Sequence, residues 1–157
     1  MKRTFAITFA IVLVLGLAGL AGCAPAPMGS ADEEDMGVWG YVTSEKSAQL
    51  EVTEDQTGVD VLVVDRVLTP EDSWLVVHLD DNGKPGMRIG LLWVAEGETL
   101  SAEVPLEGVS TDKVIVAVHA DRGTPETFDF EMETATTSPD RPFFVNGAEL
   151  AKVVTVR

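Results

Sequence analysis

Two histidines and two aspartates are the residues best suited to chemistry in this sequence. His78 with Asp80, and His119 with Asp121, form two His-x-Asp pairs 41 residues apart, each at the end of an apolar run. Imidazole and carboxylate groups together can hold zinc, copper(II) or iron(II). If the two runs are neighbouring strands, the four side chains converge at one rim of a sheet and predict a divalent metal site. The alternative is structural, because an Asp that follows a strand commonly forms a turn.

Two further sets of candidate ligands lie near these pairs. Met87 and Met132 could bind copper(I) together with the histidines, although methionine usually fills gaps in a core. The stretch from Asp80 to Gly83 is rich in oxygen ligands, but it lacks the distal bidentate Glu of the best-known calcium loop. Its Asn-Gly dipeptide favours a hairpin turn instead.

Motifs for enzymatic catalysis are absent from the sequence. It contains no Gly-x-Ser-x-Gly, no His-Glu-x-x-His and no phosphate-binding glycine loop. We therefore expect a protein that is not an enzyme and needs no resident cofactor, with a hydrolase as a distant alternative.

Cys23 is the only cysteine, and it ends a segment with the features of an export signal. Lys2 and Arg3 open that segment, an almost wholly apolar run from residue 5 to 17 follows, and small residues precede Cys23. A charged start, an apolar run and a small-residue end are typical of a secretory signal. An uncleaved membrane helix is the alternative, which the run's glycines and the proline at position 25 disfavour.

The tetrad Leu20-Ala21-Gly22-Cys23 resembles the lipobox of bacterial lipoproteins. The resemblance implies cleavage before Cys23 and acylation of its thiol and its new amine. We thus expect a signal peptide over residues 1–22 and a lipid on Cys23 that anchors the chain to a cell membrane or outer membrane. The rest of the chain would face the periplasm or the exterior. Lipidation would leave no thiolate for a blue-copper centre.

An acidic linker and an acidic surface are predicted for the exported chain. Residues 23–37 combine small residues, two prolines and four consecutive acids, a composition typical of a flexible tether. Removal of residues 1–22 leaves 9 basic and 26 acidic side chains, a formal charge of −17. Such a surface repels nucleic acid, which we exclude as a partner.

Residues 38–157 have the pattern of an all-β domain. Short runs rich in Val, Ile and aromatic residues alternate with turn residues, and no helical periodicity persists after the signal segment. Seven to eight strands spaced in this way predict an immunoglobulin-like antiparallel β-sandwich. These seven to eight strands are drawn from nine candidate runs, of which the first two are candidates for short strands: 38–43, 48–53, 59–67, 73–79, 88–94, 98–104, 113–120, 127–132 and 151–156.

Three stretches resemble a domain of unknown function found in haloarchaeal surface proteins and in some bacterial lipoproteins. The first runs from Leu50 through a "DQT" segment to a "VVH" strand that ends at His78. The others are His119 to Phe130 and Asp140 to Gly147, so the resemblance spans residues 48–157. It implies an extracytoplasmic β-sandwich and no established activity. Some members have more Asp and Asn after the second histidine than this chain has after His119. A cation site shared with those members is therefore disfavoured here.

Together these features predict an envelope lipoprotein that displays a β-sandwich as a binding or structural module. The membrane is its first partner, and an envelope protein or a glycan is the candidate second partner. Trp39 and Tyr41 are the aromatic residues expected to lie on an exposed surface, whereas Trp74 and Trp93 lie in apolar strands and are expected in the core.

Overall fold

A computed structural model of the protein describes residues 39–58 and 60–157. The predicted signal peptide, Cys23 and the tether over residues 23–37 lie outside the described residues. In the described part, no helix has the length and apolar character needed to cross a membrane.

The described chain forms an all-β sandwich, as the sequence predicts. A five-stranded sheet has the order β3-β11-β8-β5-β6, and it faces a three-stranded sheet with the order β2-β4-β7. A small third sheet, β1-β9-β10, lies beside them. The eleven strands are β1 Tyr41–Thr43, β2 Gln49–Glu51, β3 Asp55–Gln56, β4 Val61–Thr69, β5 Ser73–Asp81, β6 Lys84–Val94, β7 Gly97–Pro105, β8 Lys113–Ala120, β9 Phe143–Val145, β10 Ala148–Glu149 and β11 Ala151–Val156.

The core between the two large sheets is built almost entirely from Val, Leu and Ala. Alternate residues of each strand point inward, because successive side chains of a β-strand lie on opposite faces. The largest fully buried side chains in the core include Leu62 on β4, Leu75 and Val77 on β5, and Val116 and Val118 on β8. This cluster of apolar side chains contributes to stability mainly through the apolar area that it removes from water.

Most strand pairs are antiparallel, and the exceptions involve very short strands. β1 pairs in parallel with β9, and β3 pairs in parallel with β11. The strand count exceeds the predicted seven to eight because segments of two or three residues at the sheet margins also pair. The sequence prediction contains β1 and β2 but not β3, β9 and β10, which have too few residues to show alternation.

The long strands agree closely with the sequence prediction, with one exception. The bounds predicted for residues 113–120 and 151–156 are those of β8 and β11. The strand predicted over residues 127–132 is wrong, because that segment is irregular and leads into a short 3-10 turn, Met132–Thr134. Its backbone N–H groups donate to side chains, Asp129 to Asp140 and Glu131 to Ser138, instead of to a neighbouring strand.

Candidate functional site

The outer face of the five-stranded sheet is covered by residues 121–142, here called the crossover segment, which connects β8 to β9. Trp74 and His78 on β5, and His119 on β8, alternate with the core residues and therefore point to this outer face. Phe128 of the crossover segment meets Trp74 and His119 edge-on, with ring centroids 5.8 Å and 5.5 Å apart. The outer face thus carries a second buried layer.

Asp140 organises the crossover segment. Its side chain is fully buried, and its two carboxylate oxygens accept hydrogen bonds from three backbone N–H groups. Arg122 and Gly123 donate to Oδ1 at 2.9 Å, and Asp129 donates to Oδ2 at 2.6 Å. A carboxylate can be buried when several N–H donors replace its hydration. Asp140 therefore ties both ends of the segment together.

His119 lies beneath the crossover segment as a neutral imidazole. Its Nδ1 donates to the backbone carbonyl of Asp140 at 2.8 Å, and its ring lies 4.9 Å from that of Phe130. The pKa of His119 is lowered to about 3, mainly by burial; the Asp140 carbonyl opposes this effect and the nearby His78 adds to it. At neutral pH the ring is a fixed, uncharged part of the buried layer.

His78 lies at the edge of the same layer and borders a groove. Its Nδ1 donates to the backbone carbonyl of Gly86 on β6 at 2.9 Å. Burial lowers the pKa of His78, and the positive charge of Arg88 lowers it further, while the Gly86 carbonyl opposes them. The bond at Nδ1 assigns the tautomer, so Nε2 is the ring atom that carries a free lone pair.

The groove beside His78 has a volume of about 310 Å³. Four apolar side chains, one imidazole, one guanidinium and the backbone of a glycine line it, with no carboxylate among the described residues; the lining residues are His78, Gly86, Met87, Arg88, Phe128, Phe130 and Met132. The guanidinium carbon of Arg88 lies 5.0 Å from the centroid of the Phe128 ring, within cation–π range. The two methionines are 65% and 48% exposed, which sets them apart from the buried aliphatic residues of the core.

The four residues of the predicted metal site do not come together. β5 and β8 are neighbours, as the prediction requires, but they run antiparallel, so their ends point to opposite edges of the sheet. Asp80 lies at the β5–β6 hairpin, whereas the N–H of Asp121 donates to Asp72 just before β5 begins. Eight residues of strand separate Asp72 from Asp80, which corresponds to roughly 26 Å.

Each aspartate of the predicted site has a local structural role. Asp80 accepts the N–H of Gly83 at 2.6 Å and closes the hairpin turn, in which Asn82 and Gly83 both have positive φ. Asp121 accepts the indole N–H of Trp93 at 2.9 Å and the N–H of Glu126 at 2.8 Å. Within the described residues, no group of three or more His, Cys, Asp or Glu is placed to hold a metal ion.

The imidazoles also show no arrangement for nucleophilic catalysis in the described ranges. The hydrogen bonds of His78 and His119 go to the backbone carbonyls of Gly86 and Asp140. Neither ring contacts a hydroxyl that it could deprotonate, which is the geometry that a hydrolase triad requires.

The aromatic residues near the start of the described chain hold the crossover segment in place. Trp39 meets Phe130 edge-on at 6.4 Å, and the Tyr41 hydroxyl donates to the carbonyl of Pro139 at 2.8 Å. The guanidinium carbons of Arg122 and Arg141 lie 3.7 Å and 4.3 Å from the centroid of the Tyr41 ring. Trp39 and Tyr41 are only half-exposed, so the expected open aromatic platform is absent at these two residues.

Sequence reasoning missed how the crossover segment is held in place. Asp140 begins one of the stretches that resemble the family, but the sequence assigned it no role, because that role depends on contacts 11 to 18 residues away. The alternation of Phe128 and Phe130 was the available signal. It indicated correctly that both rings face the protein, although the segment is not a strand.

The family assignment comes from one comparison. A family model described as "Domain of unknown function (DUF7282)" matches residues 48–157, which contain every strand of the two large sheets and the whole crossover segment. No curated protein and no solved structure matches the chain.

Proposed function

The chain belongs to the DUF7282 family, and we propose that it is a membrane-anchored extracytoplasmic lipoprotein whose β-sandwich is a binding module. The groove beside His78 is its binding surface. The structural observation that carries the binding role is the exposure of the groove's methionines over a fixed, buried layer.

The envelope location is supported by the sequence before the described residues. A charged start, an apolar run and the Leu20-Ala21-Gly22-Cys23 tetrad are features of exported, lipidated proteins. Two or more acyl chains make attachment stable, since each buried methylene contributes about 0.8 kcal/mol. The tether over residues 23–37 is up to about 50 Å long when extended, enough to hold the sandwich clear of the lipid headgroups.

The binding role is supported by the difference between the groove and an ordinary surface. Its floor is preformed, because Phe128 and Phe130 pack on His119 and the backbone around them is held by Asp140. A preformed concave site that combines apolar and aromatic side chains with a few fixed polar groups is the usual form of a small-ligand site.

Membrane attachment is tested by expressing the full chain and its Cys23→Ser variant in a bacterial host and separating membranes from soluble fractions. We expect the native chain in the membrane fraction with acyl chains on Cys23 by mass spectrometry, and the variant without them. Ala24→Ser is the matched control and should remain lipidated. An intact leader on the native chain, or native protein in the cytosol, would overturn the envelope assignment.

Exposure of the groove in the cell is tested by thiol labelling. Met132→Cys, at a position 48% exposed in the native chain, should react with a membrane-impermeant maleimide on cells with a permeable or absent outer membrane. Val77→Cys, at a fully buried position, is the control and should stay unlabelled until the protein is denatured. The proposal is contradicted if the thiol of Met132→Cys is unreactive in intact cells and reacts only after lysis. That result would place the module on the cytoplasmic side.

A further inference from the structure

Arg88 is the residue that leads beyond a general binding role. The exported chain is strongly acidic, yet no carboxylate among the described residues forms an ion pair with this guanidinium. Three other arginines do have carboxylate partners: Arg66 pairs with Glu51 and Glu98, Arg122 with Glu71, and Arg157 with Asp55. Arg88 is exposed, so its N–H donors remain available to an acceptor from outside the described chain.

The guanidinium of Arg88 lies at the groove beside His78. Arg88 is opposite His78 in the β5–β6 register, and the next residue, Ile89, is buried in the core between the large sheets. Because successive side chains of a strand alternate, Arg88 points to the outer face, as His78 does. Its guanidinium carbon lies 5.0 Å from the centroid of the Phe128 ring, and both residues line the groove. The register and the ring contact therefore place the positive charge at the groove independently of each other.

This charge is the only formal charge among the described residues that line the groove. Burial lowers the pKa of His78, the Gly86 carbonyl opposes this effect, and the positive charge of Arg88 lowers the pKa further. The imidazole is therefore uncharged at neutral pH. The groove is a locally positive, partly aromatic site on a protein whose surface as a whole repels anions. A bound anion gains from one guanidinium at short range and is repelled at longer range, which favours a single negative charge.

We propose that the groove binds an organic monocarboxylate with an apolar body, whose carboxylate accepts hydrogen bonds from the Arg88 guanidinium while the body occupies the rest of the groove. The planar guanidinium matches a carboxylate and can donate two parallel N–H···O bonds to it. Small-ligand sites measure roughly 300–1,000 Å³. The groove, at about 310 Å³, lies at the lower end of this range. The inference rests on the proposed binding function and assigns its ligand class.

Arg88 also lines two neighbouring cavities, which fit an anion less well. One of them is lined by Glu107, and the other by Asp129 and Glu131. Carboxylates at these positions repel a bound carboxylate at short range. Of the three cavities, only the groove beside His78 combines Arg88 with a lining that has no carboxylate among the described residues.

The test is a fluorine NMR titration on the full chain purified in mild detergent. The probe is para-fluorohydrocinnamate, and para-fluorohydrocinnamyl alcohol is the matched neutral probe with the same ring. Titration of the detergent alone corrects for partition of either probe into micelles. We expect the native chain to bind the carboxylate about tenfold more tightly than the alcohol, since charge-assisted hydrogen bonds form with the carboxylate alone.

Variants then assign the preference to Arg88. Arg88→Gln should abolish the preference for the carboxylate and leave binding of the alcohol nearly unchanged. Arg88→Lys keeps the charge but loses the planar guanidinium, so it should retain only part of the preference. Arg66→Gln is the matched control, because Arg66 lies on β4 in the other large sheet, and it should bind both probes as the native chain does. Thermal unfolding verifies that each variant is folded.

Two further variants separate the groove from the neighbouring cavities. Glu107 and Glu131 are exposed, and each lines one of those cavities. Glu107→Gln and Glu131→Gln should leave the preference for the carboxylate unchanged. An increase of about tenfold in carboxylate affinity in either variant would place the anion in that cavity and overturn the proposal.

The proposal is also overturned if the native chain binds neither probe, if it binds both equally, or if Arg88→Gln keeps the native preference. Equal binding of the two probes would contradict the ligand class alone and leave the binding role intact. Failure of the envelope assignment is a separate result, since lipidation is read by fractionation and mass spectrometry of the same preparations. An unlipidated chain that prefers the carboxylate would contradict the anchor alone.

Discussion

The two faces of the five-stranded sheet are buried by different means. The inner face packs on the second sheet mainly through Val, Leu and Ala, and the buried polar side chains of Thr69 and Ser73 lie only at strand ends, where they donate to nearby carbonyls. The outer face lies under the crossover segment and contains His119, Asp140 and Ser138, all buried and hydrogen-bonded. The inner face therefore depends mainly on apolar area removed from water, whereas the outer face depends also on hydrogen bonds to buried polar groups. One buried polar atom of the outer layer, Nε1 of Trp74, has no partner among the described residues.

The difference has a consequence for how each face tolerates change. An apolar core loses stability in proportion to the volume removed, and neighbouring side chains relax partly to fill the space. A buried polar network loses more abruptly, because removal of one partner leaves donors without acceptors in a low-dielectric environment. The following experiments test whether the two layers fail in these two ways.

Asp140→Ala should give the largest effect, a loss of about 4 kcal/mol in the free energy of unfolding. Three backbone N–H groups lose their acceptor together. The measurement is urea unfolding, with limited proteolysis to locate any cleavage between residues 121 and 142. Asp140→Asn keeps one carbonyl oxygen and should lose less. Leu62→Ala should lower stability in the core without exposing the crossover segment, and equal cleavage in both variants would refute the distinction between the layers.

His119→Gln should abolish part of the acid sensitivity of the protein. The folded-state pKa of about 3 lies below the ordinary value of 6.5, so the unfolded chain takes up a proton first as the pH falls. The stability is therefore complete above pH 6.5 and decreases on acidification toward pH 3. Between pH 7 and pH 4 this group accounts for a loss of about 3 kcal/mol.

Urea unfolding of the native chain and of His119→Gln at pH 7 and pH 4 gives the acid-induced loss in the free energy of unfolding for each protein. The difference between the two losses is the contribution of His119. His78 remains in both proteins, so its own contribution, which has the same sign, cancels. An acid-induced loss in His119→Gln as large as that of the native chain would show that the outer layer is open to water.

Gly123→Ala should cost about 2 kcal/mol through crowding within the crossover segment. A Cβ atom at this position would lie 2.5 Å from Oδ2 of Asp129 and 2.9 Å from Cγ of Pro139. Gly108→Ala is the matched control, because a Cβ there meets nothing within 4 Å and only its positive φ is strained. Thermal unfolding should show a smaller loss for Gly108→Ala, about 1 kcal/mol. A larger loss of stability in Gly108→Ala than in Gly123→Ala would contradict tight packing of the outer layer.

Asp80→Ala should have the smallest effect, about 1 kcal/mol, since it removes one acceptor at an exposed hairpin turn. Thermal unfolding with and without added zinc or calcium provides the measurement. We expect neither ion to change the melting temperature of the native chain or of the variant. A zinc-dependent increase that disappears in Asp80→Ala would restore the divalent site predicted from the sequence.

The sequence was sufficient for the inner face and insufficient for the outer one. Alternation located the long strands because each needs only its own residues to show which side is apolar. The nearly continuous apolar run at Lys113–Ala120 is typical of a central strand, and β8 pairs with strands on both sides. Strand direction was not available from the pattern, and for this reason the two His-x-Asp pairs were expected at one rim.

The conformation of the crossover segment could not be predicted either, and the physical reason is a different one. Its conformation is determined by hydrogen bonds from its backbone to Asp140 and Ser138, which lie several residues further along the chain. Such contacts follow from the tertiary fold and leave no periodic signal. The groove inherits this dependence, because Phe128 and Phe130 form part of its lining.

The parallel pairing of β1 with β9 determines how the domain responds to mechanical tension. A pull on the chain before Trp39, directed along β1, stretches the hydrogen bonds to β9 together, and the Tyr41 bond to Pro139 resists in the same direction. The first structure to give way is then a three-residue strand outside the two large sheets. Tension arriving at the amino-terminal end therefore reaches the small sheet before it reaches β2 and the two large sheets.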